Sequence, residues 1–187
     1  MTNLSGSVVF LSPGDRLPDP SQAREDGLVA VGGDLSEERL LEAYQSGLFP
    51  WSANPITWWS PDPRGVLQVG AVHVSRSLAR TLRQAPYTVT FDQDFSAVIR
   101  ACASVPRGGA TSTWISPQLM EAYEQLAKAG HAHSVECWQE GRLVGGVYGV
   151  CVGGFFAGES MFHLSDNASK VALVHLDRHL ARRGFTL

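Results

Sequence analysis

Residues 1–33 are rich in Pro and Gly and carry little apolar periodicity; Pro13-Gly14 and Pro18-Asp19-Pro20 read as turns. The apolar run Gly27-Leu28-Val29-Ala30-Val31-Gly32-Gly33 reads as a buried strand or a loop closing on a tight Gly pair. A helical period starts after Ser36, a side chain suited to capping. Leu40, Leu41, Ala43 and Tyr44 mark its inner face, Glu37 and Glu38 suit its first turn, and Gly47 ends it. Three Trp and four Pro then fall within Leu48–Arg64, which cannot be a regular helix and reads as a rigid loop. Alternation over Val66–Val74 predicts a strand. Ser75 caps a helix from Ser77 to Gln84, stopped by Pro86.

Further on, Tyr87–Phe91 reads as a strand. Asp94 starts a helix running to about Ser104, with Phe95, Val98, Ile99 and Cys102 inward. Residues 105–113 read as a loop. Ser116-Pro117, a cap followed by Pro at the first helical position, opens a helix that buries Leu119, Met120, Tyr123 and Leu126 and ends at Gly130. The period then becomes two. Strands are predicted over Ala132–Trp138, Leu143–Val152 and Phe155–Phe162, with a turn at Glu140-Gly141. Ala168–Arg183 is an amphipathic helix with Val171, Leu173, Val174, Leu176 and Leu180 apolar, and Phe185-Thr186-Leu187 begins another strand. An antiparallel meander, a crossover helix and a new strand make an α+β sheet domain. A last strand of three residues leaves that sheet unfinished, as a shortened gene or a chosen boundary would.

Composition narrows the class. At 44% hydrophobic and 18% charged, the chain is globular with enough apolar material for a core. No apolar run is long enough to span a bilayer, and the first residues lack the basic start and apolar core of a signal peptide, so the expected compartment is the cytoplasm. Cys102, Cys137 and Cys151 are far apart with no CxxC, which argues against a disulfide frame or a zinc site. A net charge of −3 gives no global attraction to nucleic acid, so any such binding must rest on a local basic patch.

The candidate chemistry centres on Phe155-Phe156-Ala157-Gly158-Glu159-Ser160-Met161-Phe162, an apolar run around one carboxylate. Gly158 leaves room for a ligand or another backbone. Glu159 must be solvated, paired or shifted in pKa; it is either a site residue or a strand-end charge facing water. Trp51, Trp58 and Trp59 are either core packing or a platform for a stacked ring. Arg76, Arg80 and Arg83 project from one helical face with no acidic residue interleaved, a solvated stripe or an anion-binding face. His175 and His179 have zinc-compatible spacing but no evident third ligand. His131 and His133 share one side of a strand start, where packing and hydrogen bonding are favoured over catalysis. Cys102 has no visible activating partner.

Several long strings together resemble the leucyl/phenylalanyl-tRNA–protein transferase family: Asp34-Leu35-Ser36, Gly47-Leu48-Phe49-Pro50-Trp51, Trp58-Trp59-Ser60-Pro61-Asp62-Pro63-Arg64, His73-Val74-Ser75-Arg76-Ser77, Gly130-His131-Ala132-His133-Ser134-Val135-Glu136, and Gly158-Glu159-Ser160-Met161-Phe162 followed by Ala168-Ser169-Lys170. The resemblance implies a small N-terminal α/β domain over residues 1–62. It implies a C-terminal domain over 63–187 similar to the GNAT acyltransferase fold, a mixed, mainly antiparallel sheet flanked by helices. It implies an enzyme moving Leu, Phe or Met from aminoacyl-tRNA to proteins whose first residue is Arg or Lys, which marks them for degradation. Neither metal nor small cofactor is expected, and a monomer is.

By the same resemblance, Trp51 and Trp114 hold the 3′-terminal adenosine. Val147, Phe156, Gly158, Glu159, Met161, Leu173, Leu176 and Leu180 line the pocket for the transferred side chain, and Arg76, Arg80 and Arg83 meet the acceptor stem. A pocket lined by Met and Leu adapts to Leu, Phe or Met. It could reject β-branched side chains by shape for about 1–3 kcal/mol per misfit methyl. In the family, the strand begun by Phe185-Thr186-Leu187 continues into an Asp and a Gln assigned to the catalytic step. The sequence ends before both, so those roles fall on no residue here, and Glu159 is the expected orienting carboxylate. The ester donor is already activated. The attacking α-amine, with a reference pKa near 8, is about one-tenth neutral at pH 7, so positioning can supply much of the acceleration. Two other readings are an aminoacyl-tRNA-binding fragment impaired in chemistry and a GNAT-type acetyltransferase. The latter is disfavoured by the acidic loop Leu164-Ser165-Asp166-Asn167 where pyrophosphate would lie.

Overall fold

The computed structural model describes residues 8–105 and 113–187. In chain order the elements begin with β1 (Val9–Leu11), β2 (Leu28–Gly32), α1 (Glu37–Gln45), β3 (Phe49–Ala53), β4 (Ile56–Trp59), α2 (Arg76–Gln84) and β5 (Thr88–Phe91). They continue with α3 (Phe95–Ser104), α4 (Pro117–Lys128), β6 (Ala132–Gln139), β7 (Arg142–Val152), β8 (Phe155–His163) and α5 (Ala168–Arg182). The class is α+β. The chain divides into two compact units, one of Met1–Gly65 with Trp114–Gln125, the other of Val66–Thr113 with Leu126–Leu187. The expected 105–113 loop falls mostly outside the described residues. Among those described, no helix is long and apolar enough to cross a membrane.

The first unit holds a four-stranded sheet in the order β1-β2-β4-β3, with β1 and β2 parallel and the other pairs antiparallel. The stretch read as a rigid loop is therefore a hairpin. Its prolines are compatible with pairing because β3 is an outer strand and Pro55 sits in the connection. Trp58 is fully buried and donates its indole N–H to the Gly32 carbonyl at 2.9 Å. Ser36 caps α1, its hydroxyl accepting from the Arg39 N–H. Leu40, Ala43 and Tyr44 are buried as expected, whereas Leu41 is half-buried and Arg39 is only 6% exposed. Arg39 is held by Glu42 at 2.7 Å and by the Asp15 carbonyl, which a periodicity of apolar residues cannot foresee.

The second unit is built on the antiparallel sheet β5-β6-β7-β8. Helix α5 lies on one face. Its Val171, Val174, Leu176 and Leu180 form a core with Val135, Cys137 and Val147 of the sheet and Leu78 of α2. Helix α3 serves the other face, with Phe95 edge-on to Tyr148 at 5.6 Å. Small residues permit the close approach of α5: a Cβ at Gly145 would meet the Ala168 backbone carbonyl carbon at 2.9 Å. On the α3 face Glu136 is 0% exposed. Its carboxyl accepts from Ser134 Oγ at 2.5 Å, Thr90 Oγ1 at 2.7 Å and the Gln93 N–H at 3.5 Å, and Thr90 Oγ1 in turn accepts from Trp138 Nε1 at 2.7 Å.

Two expected strands are absent. Val66–Val74 runs without regular structure and turns at Gly70, whose N–H donates to Asp177 at 2.6 Å. Val69, Val72 and Val74 pack against the core that α5 forms with the sheet and Leu78, so their apolar spacing reflects burial and not strand pairing. Phe185–Leu187 is likewise not a regular strand. The Thr186 N–H donates to the Gly154 carbonyl at 3.2 Å, and the Leu187 carbonyl accepts from the Phe156 N–H at 2.9 Å.

Candidate acyl-handling face and aromatic platform

Residues directly opposite one another across a sheet share a face. One row on the α5 face of the second unit runs Phe91–Val135–Val147–Met161, and the next runs His133–Gly149–Gly158. Val147 is buried, while Met161 on the outer strand is 45% exposed. The Phe156 ring lies over Gly149: a Cβ there would meet ring carbons at 2.6 Å and would also strike the Ala157 carbonyl. Leu176 and Leu180 are in the same core, with Phe156 and Leu173 packed against it. The structure thus gathers Val147, Phe156, Leu173, Leu176 and Leu180 in one cluster and places Met161 and Gly158 in its adjoining rows.

The register of β8 slips at the residue of most interest. Ser160 pairs with Tyr148 and Gly158 with Gly149, so Glu159 is the extra residue of a β-bulge. A bulge bends the strand and re-aims the side chain it carries. Glu159 is half-buried. A single extra residue in a run that still reads as a strand leaves no mark in the apolar pattern.

A second polar group stands on the same face. The His133 Nδ1 is 2.8 Å from Asp92 Oδ2, and Asp92 Oδ1 accepts from the Ser134 N–H at 2.8 Å. The hydrogen bond to Asp92 holds the His133 imidazole above its ordinary value, against partial burial and Arg183. Burial alone would raise Asp92, but the hydrogen bonds from His133 and the Ser134 N–H and the nearby imidazole charge outweigh it and hold the carboxyl low. His179, packed on Phe91 at 4.6 Å between centroids, is lowered by burial and by Arg183 and Arg182. His175 is lowered by burial and by Arg178 and Arg182. Burial pushes the Cys137 thiol up to about 12 and the Cys151 thiol up to about 11, so neither is a thiolate near neutral pH. Cys102 is buried.

In the first unit, Trp51 is 46% exposed on the outer strand β3. Its ring meets Trp59 edge-on at 5.3 Å and Phe49 at 5.8 Å, and the Arg64 guanidinium lies 4.9 Å from the centre of the Phe49 ring. This is an open aromatic face with a cation beside it. Trp114 is half-buried, and among the described residues no ring contact joins it to Trp51. On α2, Arg76, Arg80 and Arg83 are all exposed, while Leu78 faces the core.

Comparison with known proteins gives the class first. The family model described as leucyl/phenylalanyl-tRNA protein transferase matches residues 66–187, and the model of that family's N-terminal domain matches residues 33–62, so the chain is of an aminoacyltransferase family. A protein named leucyl/phenylalanyl-tRNA–protein transferase from Solidesulfovibrio magneticus is 58% identical over 90% of this chain and 69% of its own length. Similarly named proteins from Syntrophotalea carbinolica and Azotobacter vinelandii are 56% and 57% identical, over 91% and 87% of this chain and 75% and 72% of theirs. The chain belongs to the leucyl/phenylalanyl-tRNA–protein transferase family.

Proposed function

We propose that this chain transfers Leu, Phe or Met from aminoacyl-tRNA to the α-amino group of cytoplasmic proteins beginning with Arg or Lys, and that it does so as a monomer. The family relationship supports the reaction class. The observation that carries the site is the row Val147–Met161, flanked by Phe156, Leu173, Leu176 and Leu180 and bordered by the bulge at Glu159. A flexible Met beside Leu and Phe side chains adapts to a Leu, Phe or Met side chain, and the shape of such a lining discriminates against one branched at Cβ.

In this reading Trp51 and Trp114 hold the terminal adenosine by stacking. Arg76, Arg80 and Arg83 bind acceptor-stem phosphates through salt-sensitive contacts nearly blind to sequence. Glu159 orients an amino group against the ester. The amine attacks the ester carbonyl carbon, a tetrahedral intermediate forms, and the terminal ribose oxygen leaves. The test is transfer of labelled Phe from Phe-tRNA to a peptide starting with Arg, beside one starting with Met. Transfer to the Arg peptide alone is expected. Salt-dependent tRNA binding without transfer would reduce the function to donor binding.

A further inference from the structure

An exposed aromatic ring and a fixed cation stand close together in the first unit, and the donor reading so far uses only the ring. Trp51 lies on the outer strand β3, and Trp59 sets its orientation, meeting it at 71° with ring centres 5.3 Å apart. Arg64 is held at two points. Its Nη1 donates to the Gly47 carbonyl just past α1 at 2.6 Å, and its guanidinium carbon lies 4.9 Å from the centre of the Phe49 ring. Phe49 is in turn 5.8 Å from Trp51 between ring centres, so cation and platform are within the reach of one nucleotide. Arg64 is exposed, and among the described residues no carboxylate pairs with it. Its charge and its remaining N–H groups are thus left to solvent. An arginine already fixed along one edge and one face loses little further freedom when an anion meets its free edge.

We propose that Arg64 binds the phosphodiester joining the terminal adenosine of the donor tRNA to the nucleotide before it; this rests on the reading of Trp51 as the adenosine platform. Stacking alone is tolerant, because every base offers a π-face. The guanidinium adds a feature that a free nucleoside lacks, the charge of a chain phosphate met by a planar fork. Ring and cation together select the end of a polynucleotide over a nucleoside carrying the same amino acid. The α2 arginines differ in kind. They lie exposed along one helical face and suit several phosphates of a stem, whereas Arg64 meets one phosphate at a set distance from a stacked base.

The experiment uses the full chain and two probes. One is amide-linked phenylalanyl-adenosine with a free 5′-hydroxyl. The other carries a 5′-phosphate methyl ester, which reproduces the single charge of the chain phosphate. Binding of each is measured at low and high salt for the wild-type chain, Arg64→Gln, Arg64→Lys and Trp51→Ala, with melting checked for each. The wild-type chain is expected to bind the phosphate-bearing probe about ten-fold more tightly at low salt, and the gain is expected to shrink as salt rises. Arg64→Gln is expected to bind the phosphate-free probe within about two-fold of wild type and to lose the gain. Arg64→Lys, which keeps the charge without the fork, is expected to keep part of it and decides the matter should Arg64→Gln fold poorly. Trp51→Ala is expected to weaken both probes alike. A gain undiminished in both Arg64 variants, or absent from the wild-type chain at low salt, would overturn the proposal. So would an equal loss for both probes in Arg64→Gln, which would make Arg64 a prop for the platform only. An Arg64-dependent gain in a chain that transfers no Phe would support the phosphate contact while the transfer reading alone fails.

Discussion

The hydroxyls of Tyr44 and Tyr123 meet at 2.6 Å in the interior of the first unit, 79 positions apart in sequence. Both residues are almost wholly buried. Removing one hydroxyl obliges the other to remain in an apolar interior with its hydrogen bonding reduced, at a cost of about 1–3 kcal/mol. Tyr123→Phe is expected to lower stability by that amount in urea unfolding. The double variant with Tyr44→Phe is expected to recover part of it, and strict additivity of the two single losses would contradict the pairing.

Gly149→Ala tests the close approach beneath the Phe156 ring. The added methyl meets ring carbons at 2.6 Å and a backbone carbonyl that cannot swing away. A loss of about 1–3 kcal/mol is expected, with displacement of Phe156 and weaker discrimination between Phe and Ile donors. Thermal unfolding and a paired donor assay would show both, and an unchanged melting transition would mean that the ring does not lie there.

Trp51→Ala separates binding from folding. Trp51 is 46% exposed and gives up mainly its edge contact with Trp59. Stability is expected to change by about 1 kcal/mol or less, while donor affinity falls by about 1–3 kcal/mol for the lost stacking. Equal losses in both measurements would make Trp51 a packing residue.

The Arg76, Arg80 and Arg83 stripe predicts a salt signature. Replacing all three by Ala is expected to flatten the slope of log affinity for tRNA against log salt by about 2, with little change in melting, since all three are exposed. An unchanged slope would put the phosphate contacts elsewhere.

For Glu159→Gln, slower transfer with near-normal Phe-tRNA binding is expected, since the amide keeps the shape of the bulge side chain but not its charge. Unchanged turnover would remove the orienting role.

The His133–Asp92 pair gives stability a defined pH window. His133 is raised above its ordinary 6.5, so its contribution is complete below 6.5 and is lost as pH rises through the folded value. Asp92 is lowered from 3.8, so its contribution is complete above 3.8 and is lost as pH falls through its folded value. The melting difference between the wild-type chain and Asp92→Asn is therefore expected to be largest near pH 5 and to shrink by pH 9. Because both side chains are well exposed, the effect is modest.

Most elements were legible because burial imposes a period. The caps Ser36, Ser75 and Asp94 accept the N–H groups their positions require, and the three long strands lie where alternation places them. The misses share a cause: apolar spacing states that a residue is covered, not what covers it. Val69, Val72 and Val74 are covered by the core shared by α5 and the sheet without pairing as a strand, and Trp58 and Pro50 belong to a hairpin. That Trp114–Gln125 packs with the residues up to Gly65 is equally invisible in a linear reading. At the candidate site, the apolar cluster was readable through its family resemblance. The bulge at Glu159 and the Asp92–His133 bond were not, because each depends on a register that only pairing fixes.

Glu136 sets a different kind of constraint. Its interior carboxyl is met by Thr90, Ser134 and the Gln93 N–H, and Thr90 is itself met by Trp138. Losing one of these side chains leaves a polar partner stranded where water does not reach. The positions are therefore coupled in descent: Thr90, Ser134, Glu136 and Trp138 can be exchanged as a set for an apolar quartet, but a lineage that alters them one at a time must pass through a less stable ancestor at each step.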